Sequence, residues 1–328
     1  MPPSCPGGKR PASPSAFSPV GNTHSPPSAK NKGCFLSWAT QKTRSIVTTS
    51  SPRPIAEPIT KIRSSSGWAA LNLPETWKFR DLLISLASRD LKLRYKQTAL
   101  GVIWVIVQPL MAAGIFSFVF GKVAQLPSGG VPYLLFSFAG LLGWNLFSNT
   151  VTKCSGCLVG NSQLISKVFF PRLILPLSTI PSVLVDFAVA AAMMSVLMFI
   201  YGVAPGWGVL LLPVWMALLL TLALGIGLCT AALAVSYRDV QYVVPVFMQI
   251  LLYASPIAYA VSAVPADLRS VYLLNPLSAP LEAFRASLLH TSWPAPSSLA
   301  GAAVVSALVF LVGLYSFKRM ERQFADVI

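Results

Sequence analysis

From residue 98 onward the chain is a succession of long apolar runs separated by short polar connections. The pattern predicts six membrane-crossing helices, over 98–120, 131–151, 175–201, 208–236, 242–260 and 298–317. Each run supplies the roughly 20 apolar residues that cross a hydrocarbon core about 30 Å thick. None alternates with a period of two, and backbone in lipid must satisfy its own hydrogen bonds, so the runs are read as helices. Pro109 is expected to kink the first span. No convincing internal repeat is visible.

Before the first span, residues 72–97 read as an amphipathic helix at the membrane interface. Asn72 with Glu75 three positions on resembles a capping box. Phe79, Leu82, Leu83, Leu86 and Leu93 fall on one face, and Lys78, Arg80, Arg89, Lys92, Arg94 and Lys96 occupy much of the rest, which suits a helix among lipid headgroups. Residues 1–66 are rich in Ser, Pro, Lys and Arg without periodicity and are expected to be a disordered basic tail. Residues 318–328 form a short tail after the last span.

Composition supports the membrane reading: 54% of residues are hydrophobic and 11% charged, with mean hydropathy +0.65. An ordinary soluble domain carries about 25% charged residues. The net charge of +15 raises nucleic acid as a partner, but eight of those charges lie in the first 66 residues and the rest cluster at the ends of apolar runs. That distribution describes topology, and no nucleic-acid partner is expected. With both termini inside, the inner side receives the basic cluster 78–96, Lys153, Lys167, Arg172, Arg238, Lys318, Arg319 and Arg322. The outer side receives only Lys122, Arg269 and Arg285, so the positive-inside rule selects cytoplasmic termini.

Chemistry-bearing residues are few. Cys154-Ser-Gly-Cys157 is a lone CxxC with no second pair or neighbouring His; it reads as small residues at a helix end, and no metal site is expected. No span contains His, and Asp186 has no acidic neighbour in its own span, which argues against a membrane-embedded lipid or glycan enzyme. Asp186 is expected to pair with a basic residue on the inner side, with Arg94 as the candidate. The glycine-rich phosphate loop GxxxxGK[ST] is missing; Gly121-Lys122-Val123 is the nearest approach. ATP hydrolysis is therefore not expected on this chain, which is read as a transporter subunit and not an enzyme.

One connection stands out. NSQLISKVFFPRLILP, residues 161–176, sets Lys167, Arg172 and Phe169-Phe170 between two apolar spans. A helix from about Gln163 to Phe170, ended by Pro171, presents Leu164, Ile165, Val168 and Phe169. Such a helix either rests on the bilayer or is a knob for a cytoplasmic partner, with Phe169 and Phe170 as aromatic anchors and Lys167 and Arg172 as orienting charges.

The string L-I-S-K-V-F-F-P-R-L-I-L-P (164–176) resembles the coupling loop of ABC-2 type permeases. Further landmarks follow in that family's order: R-Y-K-Q-T-x-L-G-x-x-W-x-x-x-Q-P (94–109), G-L-L-G-W-N-L-F (140–147), S-Y-R-D-V (236–240), S-P-I-A-Y (255–259) and L-N-P-L (274–277), with Phe284-Arg285 nearby. The resemblance covers residue 72 to the C terminus and is nearest to the polysaccharide exporters of O-antigen, capsule and teichoic acid. It implies an all-α fold of six transmembrane helices with an N-terminal interfacial helix. It also implies a homodimer in the bacterial inner membrane, docked on two copies of a separate ATPase that binds the ATP and magnesium, and a substrate glycan carried on a polyprenyl diphosphate. By position, Leu164–Arg172 would be the coupling helix, Arg238 and Asp239 a second ATPase contact, and Asn275 and Pro276 part of an outer gate. Trp104, Gln108 and Trp144 are candidate conduit residues, since aromatic faces bind the C–H faces of sugars. A permease for a small amphiphile or lipid would carry the same coupling machinery.

Overall fold

The computed structural model describes residues 77–96, 101–261 and 274–321, together with positions 264, 265, 267, 272 and 324. The expected tail 1–66, the Asn72–Glu75 cap, the first residues of span one, Arg269 and most of the C-terminal tail lie outside the described residues. Among the described residues all regular structure is helical. The helices are α1 (Arg80–Lys96), α2 (Gly101–Phe116, continued by a π-helical segment Ser117–Val123), α3 (Tyr133–Gly160) and α4 (Ser162–Lys167). There follow α5 (Ile174–Ile200), α6 (Leu212–Ser236, preceded by a 3-10 turn Trp207–Leu211), α7 (Val240–Ala254), α8 (Ser278–Leu289) and α9 (Pro296–Met320).

Five of these segments are long and apolar enough to cross a membrane: Ile103–Val123, Tyr133–Gly160, Ile174–Ile200, Trp207–Ser236 and Pro296–Met320. Over the expected fifth span, 242–260, the structure has a shorter apolar helix, Val240–Ala254. Helix α7 has 15 residues, about 22 Å of rise against a core of about 30 Å. Ser255 ends it in extended backbone (φ −113°, ψ 152°), because the ring of Pro256 disfavours helical geometry in the residue before it.

Helix α3 is the hub. It packs against α2, α5, α6, α7 and α8, and 78% of its apolar window is buried, against 11–33% for the other four spans. The core has two parts. One gathers α2, α3, α5, α6, α7 and α8 around Phe136, Phe147, Leu222 and Phe284. The other, at the basic end of the bundle, gathers α1, α3, α5, α6 and α9 around Leu86, Leu158, Ile174, Ala231 and Phe317. Helices α2 and α7 have no part in the second.

Without a hydrophobic drive between helices in lipid, small residues supply close packing. A Cβ on Gly225 of α6 would lie 2.6 Å from the Phe310 nitrogen of α9, and one on Gly313 of α9 would strike the Gly225 carbonyl. A Cβ on Gly227 would lie 2.6 Å from Cys154 Cβ of α3, so Cys154 packs into a glycine notch. Helix α1 lies on α5 with Leu86 and Ala87 buried, and Leu93, expected on that face, is exposed. Because the α6–α9 contact is backbone on backbone, Gly225→Leu is expected to cost about 1–3 kcal/mol or more and to lower the detergent melting temperature. Gly156→Ala, where a Cβ meets open space, should leave it unchanged or slightly raised.

Candidate functional site

The connection between α3 and α5 forms an elbow at the basic end. Its helix is shorter than expected: α4 stops at Lys167, and Val168 is extended (φ −129°, ψ 133°). β-Branched Val168 resists helix continuation, and Pro171 holds Phe170 out of the α region. Extended backbone sends successive side chains to opposite sides. Phe169 is 79% exposed and Phe170 only 5%. Phe170 is thereby corrected: it packs in the core at the basic end with Leu173, Phe317 and Phe324. Leu164 and Ile165 are half-buried against the same core. The outward surface is Lys167, Val168 and Phe169.

Arg172 is also turned inward. Its guanidinium donates to the Glu321 carbonyl and lies 5.7 Å from the Phe324 ring centre, while its backbone N–H donates to Glu321 Oε1 at 3.3 Å. Arg238 and Asp239 sit exposed in the turn between α6 and α7, where the Asp239 carbonyl accepts from the N–H groups of Tyr242 and Val243.

A charge centre lies behind the elbow. Asp186 of α5 is buried, and its Oδ2 accepts from Arg94 Nη1 of α1 at 2.5 Å and from Lys153 Nζ of α3 at 3.1 Å. The expected partner Arg94 is in place, and Lys153 is a second one. Lys153 also donates to Ser182 Oγ at 2.9 Å. A polar-sided cavity of about 80 Å³ beside this cluster is lined by Arg94, Asp186, Gln108, Asn145 and Asn149. Gln108 thus faces the same cavity as the charge centre. Trp104 is exposed on α2. Trp144 is corrected as a conduit residue: it is buried in the core with its ring centre 5.7 Å from that of Phe147.

At the opposite end the turn after α7 is stitched by side chains. Arg285 of α8, expected at the outer surface, is 2% exposed. It donates to the carbonyls of Pro256 and Ile257 and lies 3.9 Å from the Phe136 ring centre. Tyr133 Oη donates to the Ala258 carbonyl at 2.5 Å, and the Val261 N–H donates to Glu282 Oε1 at 3.1 Å. Asn275 Nδ2 donates to Ser255 Oγ at 3.1 Å, and its Oδ1 accepts from the Leu277 N–H at 3.0 Å. Asn275-Pro276 therefore leads the chain into α8 while tying it back to the end of α7.

The contacts of Lys153, Arg285 and Glu321 were not foreseen from the sequence. Lys153 had a signal, since Asn145, Asn149 and Lys153 recur every four residues along α3 and fall on one helical stripe. Glu321 had none, because its partner stands 149 positions away.

The profile of the ABC-2 type transporter family matches residues 81–289. The chain is 31% identical to the O-antigen export system permease protein RfbA of Myxococcus xanthus, over 77% of this chain and 98% of that protein. A protein of the same name from Klebsiella pneumoniae is 27% identical over 76% of this chain and 95% of its own length. The polysialic acid transport protein KpsM of Escherichia coli is 24% identical over 72% and 92% respectively.

The three-way pairing at Asp186 makes a specific prediction. Asp186→Leu removes the carboxylate that Arg94 and Lys153 share, and folded yield and melting temperature should fall by the equivalent of about 3–5 kcal/mol. Adding Lys153→Met should recover part of the loss. Exchanging Asp186→Lys with Arg94→Asp should recover less, because Lys153 then faces a new lysine.

Proposed function

This chain belongs to the ABC-2 type transporter family, and we propose that it is the membrane-spanning permease subunit of an ATP-driven exporter of lipid-linked polysaccharide. The observation that carries this reading is the match along 98% and 92% of the lengths of relatives named for O-antigen export and polysialic acid transport. In this reading the chain works in the bacterial inner membrane with both termini cytoplasmic. Arg89, Arg94, Lys153, Arg172 and Lys318 all make their contacts at one end of the bundle, which supports that orientation.

Energy enters through a partner. The chain carries no GxxxxGK[ST] phosphate loop, and its elbow offers an exposed aromatic beside a lysine, the kind of anchor on which interface affinity concentrates. A separate ATPase, two copies per homodimer, grips Lys167, Val168 and Phe169, with Arg238 and Asp239 as a second contact. The second copy of this chain covers the apolar faces that α2 and α7 leave open, including Trp104, Met111, Tyr242, Val246 and Ile250. The glycan on its polyprenyl diphosphate then passes between the copies. The short α7, the stitched turn and α8 close the outer side.

Pull-down from native membranes should recover an ATPase, and cells lacking the chain should accumulate lipid-linked glycan inside. Phe169→Ala should weaken ATPase recovery about tenfold or more, as loss of an aromatic anchor does, without changing the melting temperature of the chain alone. Intact surface glycan in the deletion strain would favour the small-amphiphile substrate instead.

A further inference from the structure

We propose that Arg172 clamps the elbow to the C-terminal end of α9, so that a push on the elbow moves α5 and α9 as one body. The inference rests on reading the elbow as the ATPase-facing surface, and concerns how the push leaves it. Residues 168–171 are non-helical. Left to themselves they are a flexible joint between α4 and α5, and a joint that bends absorbs displacement. The structure removes that freedom from two sides.

The first constraint is the Arg172 side chain. It donates to the Glu321 carbonyl at the end of α9, where the last turn of a helix has carbonyls without intrahelical partners and a partial negative charge. The elbow thus supplies a helix cap from 149 residues upstream. Its reciprocal runs the other way, with Glu321 Oε1 accepting the Arg172 backbone N–H at 3.3 Å. Lys318 Nζ holds the other Glu321 oxygen at 2.8 Å, which fixes the carboxylate. The second constraint is aromatic. Phe324 lies beneath the guanidinium and edge-on to Phe317 at 5.5 Å, and Phe170 joins the same cluster. A guanidinium whose only task was to meet a partner protein would not be spent on a carbonyl and a ring of its own chain.

From α9 the displacement has a hard path onward. The Gly225–Gly313 backbone contact joins α9 to α6, and the core at the basic end joins both to α5 and α1. Helices α2 and α7 contribute no residue to this core; they pack on its flanks, α2 against α1 and α5 and α7 against α6, where movement of the body reaches them.

The test uses the chain with its ATPase in proteoliposomes. Arg172→Gln should co-purify the ATPase at the wild-type level, unlike Phe169→Ala, and should keep hydrolysing ATP while export falls about tenfold, within the range of one site-to-site coupling. Arg172→Lys, which keeps a donor without the planar fork, should be intermediate. Phe324→Leu provides a second disruption should Arg172→Gln fold poorly, with the same split between hydrolysis and export. Cysteines replacing Arg172 and Glu321 should lose export in the same way and regain it when joined by a short bismaleimide. Normal export by Arg172→Gln, lost ATPase binding by that variant, or failure of the bridge to restore export would each overturn the clamp. A wild-type chain that recovers no ATPase would overturn the underlying reading of the elbow instead, and shows itself before any substitution at 172 is made.

Discussion

In a hydrocarbon solvent every backbone polar group and every charge has to find its partner inside the protein, and this constraint organises the molecule. Where the chain is helical the requirement meets itself. Where the helix stops and the chain stays buried, a side chain takes over. The turn after α7 exposes carbonyls of Pro256, Ile257 and Ala258, and Arg285 and Tyr133 reach them. The carbonyls and the Phe136 face replace part of the water the arginine lost, while its Nε has no hydrogen-bond partner among the described residues. The glycine at position 140 belongs to the same arrangement, since a Cβ there would lie 2.5 Å from the Ile257 carbonyl.

The same constraint divides the protein mechanically. At the basic end the charges are netted together across α1, α3, α5 and α9 by Asp186 and Glu321. Packing there includes backbone-to-backbone contact, and interiors of that density shift between arrangements instead of deforming smoothly. Helices α2 and α7 contribute residues only to the other core and expose large apolar side chains along much of their length. A closely packed body at one end, flanked by two helices with open apolar faces, suits the clamp proposed above.

Much of this was legible in the sequence. Long apolar runs have one solution in lipid, so five of the spans follow from length and charge-poor composition. Asp186 announced itself as an acid among apolar residues, and Arg94 was the basic partner expected for it on the inner side. What the sequence did not disclose was decided by tertiary contact. Over the six residues of α4 helical periodicity cannot be established, so Phe169 and Phe170 looked equivalent. The non-helical backbone over 168–171 separates them onto opposite sides, and one signal of it, Pro171, was readable. Pro256 shortened α7 by the same rule. Trp144 lies on the central helix and is buried in the core beside Phe147.

The disposition of Phe169 carries the final step. A chain that buries Phe170 and draws Arg172 onto its own last helix is not short of means to cover aromatic and cationic groups at this end. It nevertheless leaves Phe169 outward beside Lys167 and Val168, on a segment braced from behind by Arg172 and Phe170. An unbraced aromatic on a loose loop would lose on binding the entropy of ordering that loop, whereas a braced one is already in place. Bracing therefore serves two ends at once: it lowers the cost of gripping a partner, and it lets the partner's movement reach the spans without being lost in the joint.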